Sequence, residues 1–137
     1  MGNRAVIEFE NTNMGIYLHW NGGRDSIEPL LHVAKEYGIV GNGDYSQARL
    51  TQIICNTFDG KLGVGIDTLD NLDCDNFDNG VYVIDSRLNI VGRKFTRYPE
   101  QNEHDFKGMV EFIKERNDRF FITSDSRGIT LLSWCNW

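Results

Sequence analysis

Proline is nearly missing from this chain: Pro29 and Pro99 are the only two among 137 residues. With no low-complexity tract and no internal repeat beside it, that scarcity excludes a proline-rich linker or spacer. Cysteine is scarce and odd in number. Cys55, Cys74 and Cys135 show no CxxC spacing, which argues against a disulfide framework or a zinc site and fits a reducing compartment. No apolar run approaches the roughly 20 residues that span a bilayer. The opening residues 1–4 have no secretory apolar region, and Val6 stands where a myristoylation signal needs Ser or Thr. The expectation is a cytoplasmic protein without membrane contact. Bases are outnumbered by acids, 14 to 20, for a net charge of -6. That balance disfavours nonspecific nucleic-acid binding but leaves room for a local basic pocket, or for an acidic surface that meets a basic protein. P-loop, GxSxG, HExxH and GxGxxG motifs are all missing, and the chain has three histidines, His19, His32 and His104.

What is present reads as one soluble globular domain over 1–137, with 40% hydrophobic and 25% charged residues. Alternation predicts strands over 4–10 and 14–20, paired antiparallel through the Asn11-Thr12-Asn13 turn. A helix over about 27–37 carries the apolar stripe Ile27, Leu30, Leu31, Ala34 and stops at Gly38. A second helix over about 45–58, capped by Asp44, buries Leu50, Ile53, Ile54, Thr57 and Phe58. Strands follow over 62–67, 80–85 and 88–95, the last two a hairpin across Ser86-Arg87. A third helix over about 104–116 is followed by strand patterns at 120–123 and 129–132, with Trp134 and Trp137 at the end. The fold class is therefore α+β. An antiparallel sheet of about five strands carries two consecutive helices on one face, and a third helix lies near the C-terminus.

The densest chemistry is the strand-to-helix turn at 17–26. His19, Trp20, Asn21 and Arg24 crowd around Gly22 and Gly23, two residues that free the backbone for close approach. Ser26 reads as the helix cap, because it places Pro29 at the third helical position, where its missing N–H costs nothing. The free N–H groups of that helix, with Arg24 beside them, suit an anion, although Asp25 and Glu28 already supply negative charge there. An ordinary capped βα turn with a packing tryptophan explains the same residues.

The second unusual feature is a face of helix two. Tyr45, Arg49, Gln52 and Asn56 follow one another at spacings of four, three and four, with no acid among them. Such a face either meets water or reads a polar ligand through amides and a guanidinium. If helix two neighbours the turn, the two features line one cleft and Arg49 is a ligand contact. Arg93, Lys94 and Arg97 form the only basic cluster. The aspartates at 67, 70, 73, 75 and 78 lack the calcium-loop pattern: counting from Asp73, the fifth position is Phe77 and the sixth is not glycine. They read as a solvated loop of local Asx turns. No metal site and no cofactor is expected. His19 with Cys55 is a conceivable nucleophile pair, but Cys55 lies between the two faces of its helix and reads as a small packed residue.

The residues His19-Trp20-Asn21-Gly22-Gly23-Arg24-Asp25-Ser26, with Gly2-Asn3-Arg4-Ala5-Val6-Ile7, Ala48-Arg49-Leu50 and Gly80-Val81-Tyr82-Val83-Ile84, resemble a group of small phage- and prophage-encoded proteins of Gram-positive hosts. In that group a strand runs into His-Trp-(Asn or Asp)-Gly. The resemblance covers residues 2–95 and carries no catalytic or ligand residue onto this chain. It implies an intracellular accessory phage protein, a class that counters host immunity by sequestering nucleotide signals or blocking defence proteins.

The expected function is thus non-catalytic sequestration of a small anionic, nucleotide-like ligand, with a homo-oligomer among the expected partners. His19, Trp20, Asn21, Arg24, Tyr45, Arg49, Gln52, Asn56 and Arg93 are the ligand-binding candidates. Trp20 or Tyr45 would stack on a base, and Arg24, Arg49 or Arg93 would meet phosphate. The alternatives are an inhibitor that binds a host defence protein, and an enzyme that cleaves such a signal.

Overall fold

The computed structural model describes residues 2–41, 43–58 and 62–121, without the side chains of residues 44 and 119–121. In chain order the elements are β1 (Ala5–Phe9), β2 (Met14–Leu18), α1 (Arg24–Glu36), α2 (Asp44–Thr57), β3 (Val64–Thr68), a short 3-10 turn (Leu69–Asn71), β4 (Val81–Ile84), β5 (Ile90–Lys94) and α3 (Phe106–Phe121). The class is α+β, as the sequence predicts. The five strands form one sheet in the order β3-β2-β1-β4-β5. The sheet is mixed, which corrects the antiparallel expectation. β1 pairs antiparallel with β2 but parallel with β4, Val6 opposite Val81 and Phe9 opposite Ile84. Alternation of apolar residues specifies which way a side chain points, not which strand lies alongside or in what direction.

Period-two alternation sorts the sheet into two faces. Ala5, Ile7, Phe9, Ile16, Leu18, Tyr82 and Ile84 share one core with Ile27, Leu30, Leu31, Val33 and Ala34 of α1, Leu50, Ile53 and Ile54 of α2, and Ile113 of α3. Each fully buried aliphatic side chain contributes on the order of 1.5–3 kcal/mol.

The other face carries Val6, Glu8 and Val81, all buried, and lies under residues 69–80. A side chain at Gly15 would come within 3.0 Å of Leu69 and 3.1 Å of Leu72. Asn76, fully buried, holds this cover together. Its amide donates to the carbonyls of Asp73 and Gly80, and its oxygen accepts from the N–H groups of Asp78 and Gly80, so all of its hydrogen-bonding capacity is used. Asp78 and Asp73 pair with Arg4, Asp75 with Arg97, and Asp67 accepts from Thr68 N–H and Asn71. These four aspartates are thus spent on local turns and on pinning the loop. Among the described residues no group of three or more His, Cys, Asp or Glu side chains is placed to hold a metal ion.

Helix starts differ from expectation. α1 begins at Arg24 with Gly23 as N-cap (φ -70, ψ 160), so Ser26 is the third helical residue and not the cap, and Pro29 sits inside the helix. Tertiary anchors decide this. Gly22 N–H donates to Asn3 O at 2.8 Å, the Tyr82 hydroxyl donates to Gly22 O at 2.8 Å, and the Gly23 carbonyl accepts from Ser26 and Ile27. A side chain at Gly22 would lie 2.6 Å from Asn3 O. The turn is clamped, and the helix starts where the clamp ends, at the cost of the hydrogen bond that Pro29 cannot donate. Likewise α2 begins at Asp44 itself, after Gly43 as N-cap. α1 ends at Glu36 with Tyr37 as C-cap, and Gly38, at φ +79, follows as the predicted stop. α3 runs on through residues 120 and 121, so the strand predicted at 120–123 does not start there; residues 122–137, with the second predicted strand, Trp134, Cys135 and Trp137, lie outside the described residues.

Candidate functional site

Two arginines far apart in sequence meet on one carboxylate. Arg24 Nη1 donates to Glu100 Oε2 at 2.9 Å, and Arg93 Nη1 donates to the other oxygen, Oε1. Each arginine is also held from elsewhere. Arg24 Nε donates to Glu28 Oε1 at 2.5 Å, one turn along α1. Arg93 donates to the carbonyls of Val81 (3.1 Å) and Asn79 (2.5 Å), and its guanidinium lies 3.7 Å over the Tyr82 ring, a cation–π contact. Burial works against the Arg24 charge, but the hydrogen bonds to Glu100 and Glu28 outweigh it, so its pKa lies above the ordinary guanidinium value. Tyr82 is pushed up to about 12, chiefly by burial, and so remains a hydroxyl donor to Gly22. A cavity of about 50 Å³ lies here, lined by Asn79, Tyr98, Gln101 and the cluster itself. That is space for one or two waters.

Arg24 also opens a second, larger space. A groove of about 310 Å³ runs along α1 past Arg24, Glu28, His32 and Lys35, with Leu88, Asn89, Ile90 and Phe106 as its other wall. It lies at the small end of the range for small-molecule sites. Arg24 and Lys35 mark its two ends, roughly 16 Å apart at 1.5 Å per helical residue. Lys35 donates to Asn89 at 2.6 Å, and the His32 and Phe106 rings meet edge-on at 5.2 Å. Beside the groove, His104 Nε2 lies 3.1 Å from Glu28 Oε2. The His104 side chain is only 7% exposed and its Nδ1 is buried without a hydrogen-bond partner.

The candidates from sequence fall into three places. Arg24 and Arg93 come together as described. His19, Trp20 and Asn21 precede them and line neither space, and Trp20 is more than one-third exposed. The His19 ring nitrogen Nδ1 lies 2.8 Å from the Tyr17 hydroxyl and its ring stands edge-on to Trp20 at 4.9 Å. Trp20 lies against Gly63, Val64 and Phe58, and Asn21 takes a positive φ of 61°. The α2 face is elsewhere. Arg49 lies 5.0 Å over the Tyr45 ring, Gln52 is exposed, and Asn56 donates to Asn117 of α3 at 3.1 Å. None of these four lines the two-arginine cavity or the α1 groove.

Sequence reasoning missed Glu100, Tyr82 and His104. The i,i+4 pairing of Arg24 with Glu28 was readable; the partnership with Glu100, 76 residues away, was not. The Cys55 thiol, exposed at the surface but partly desolvated, sits above the ordinary thiol range, the opposite of an activated nucleophile. Compared with protein-family models, with curated proteins and with solved structures, the chain matches none of them.

Proposed function

We propose that this protein binds a small anionic, nucleotide-like ligand without converting it. The anionic end meets Arg24 and Arg93, and the body lies in the α1 groove against His32 and Phe106. One observation carries the reading. Two guanidinium groups on regular elements, each fastened by other partners, point a nitrogen at one shared oxyanion position; such a paired fork suits phosphate or carboxylate. The reading takes α1 and α2 as the helix pair on one sheet face, a placement supported by their shared core with β1, β2 and β4. With the resemblance to phage accessory proteins, it describes a sponge for a host immune signal in the cytoplasm of an infected bacterium.

The test is uptake and return. The protein is incubated with a nucleotide panel, desalted and denatured, and the released compound is identified. Intact nucleotide should return from the native protein, and at least tenfold less from folded Arg24→Gln or Arg93→Ala. An altered product would replace the binder with an enzyme, and no uptake would overturn the reading.

A second reading, inhibition of a host protein, is favoured by Phe77 and Phe95. Both are more than half exposed, and both hold a positive φ, 63° and 56°. Bulky residues rarely adopt that conformation. Phe77 lies in the acidic loop, where Arg97 sits 4.3 Å over its ring, and Phe95 follows β5.

A further inference from the structure

The groups around Glu100 differ in how they are held. Arg93 is on β5 and is tied to β4 through the Val81 carbonyl and the Tyr82 ring. Arg24 is the first residue of α1 and is tied to Glu28. Glu100 belongs to neither sheet nor helix, because no residue between Lys94 and Phe106 lies in a strand or helix. Its side chain is one-third exposed, more than that of either arginine, and its neighbours on both sides, 95–99 and 101–103, are exposed. Rigid elements supply the two cations and an irregular surface segment supplies the anion. With Glu100 in place the remaining cavity of about 50 Å³ has room for ordered water.

Resting on the ligand reading above, we propose that Glu100 is a built-in competitor: its carboxylate occupies the two-arginine site until the phosphate or carboxylate of a ligand displaces it and the 95–103 segment swings out. One oxyanion replaces another on the same two guanidinium groups, so their hydrogen bonds are exchanged rather than lost. A ligand therefore pays only for opening the segment. Apparent affinity falls in proportion to the fraction of molecules already open, and a minor state of this kind is populated at about 0.1–10%. Removing the Glu100 charge should return that lost affinity. The displaced segment carries Phe95 and Arg97, so binding would also uncover the Phe77 ring under Arg97.

The test uses inorganic pyrophosphate as probe and calorimetry as readout. Glu100→Gln keeps the shape but removes the charge and turns one of the two acceptor oxygens into an NH2. Its Kd for pyrophosphate should be at least tenfold tighter than that of the native protein, and Arg24→Gln in the same background should abolish the gain. Equal or weaker binding by Glu100→Gln, or no binding by either protein, overturns the proposal and leaves Glu100 a latch that fixes the segment to the sheet. Should Glu100→Gln not fold, limited trypsin cleavage after Arg97 in the native protein decides: saturating pyrophosphate should speed it, and an unchanged rate overturns the displacement. The two readings fail separately. If a nucleotide returns intact in the uptake assay while the pyrophosphate Kd ignores Glu100, only the competitor falls; if neither nucleotide nor pyrophosphate binds, both fall.

Discussion

The arginine pair at the start of α1 and the polar face of α2 share a vocabulary of guanidinium, amide and aromatic groups, and the fold uses them in opposite ways. On α2, Asn56 donates to Asn117, and Asn117, fully buried, donates in turn to Thr57 Oγ1 (2.9 Å) and the Ile113 carbonyl (2.8 Å). This is a closed set of short-range bonds between two helices. At the arginine pair the partner is a carboxylate on an irregular segment, which another anion can replace. Residue chemistry alone does not separate a helix joint from a ligand site; what separates them is whether the partner is built into a regular element.

The largest effect should come from breaking the helix joint. Asn117→Ala leaves Asn56 Nδ2 without its acceptor and a hole beside Thr57, and should cost about 2–3 kcal/mol in chemical denaturation. Nucleotide uptake per folded molecule should stay unchanged. A loss of uptake in folded Asn117→Ala would erase the contrast between the two regions.

Acid should act first on the arginine side. Asp78, which lines the two-arginine cavity, is raised by burial, but its hydrogen bonds from the Arg4 side chain and N–H and the Arg4 charge outweigh that and hold it below 3.8. A carboxylate with a depressed folded pKa stabilises fully above its unfolded value and loses that stabilisation as pH falls through the folded one. The stability difference between the native protein and Asp78→Asn should therefore be constant above about pH 5 and shrink below 3.8. A gap that persists to pH 2 would remove the Arg4 pairing from the account. Protection of the amides in the α2–α3 joint should outlast that of residues 76–80 in the same titration.

The smallest effect is reserved for Arg49. On the α2 surface, Arg49→Ala should shift stability by no more than about 0.5 kcal/mol. It should also leave nucleotide uptake at native level, because Arg49 lines neither the cavity nor the groove. Abolished uptake in a folded Arg49→Ala protein would restore the single cleft expected from sequence and move the site to α2.

Read by itself, the sequence determined the inventory of elements. Period-two and period-3.6 patterns marked the five strands and three helices described, together with a strand at 120–123 whose first residues belong to α3, Gly38 marked the end of α1, and the Asx-rich stretch was legible as turns. These are local signals, carried by neighbours within one or two turns of chain. It also singled out Arg24 and Arg93, but as separate entries in a list that included Tyr45, Arg49, Gln52 and Asn56. Tertiary structure decided the rest: the parallel pairing of β1 with β4, the start of α1 at Arg24, and the meeting of Arg24 and Arg93 on Glu100. Each depends on where distant segments pass. Tyr82 fixes the turn at Gly22 from 60 residues away, and Glu100 reaches Arg24 from 76. A single sequence carries no marker for contacts of that span, because a carboxylate on a loop reads the same whether it faces water or two arginines.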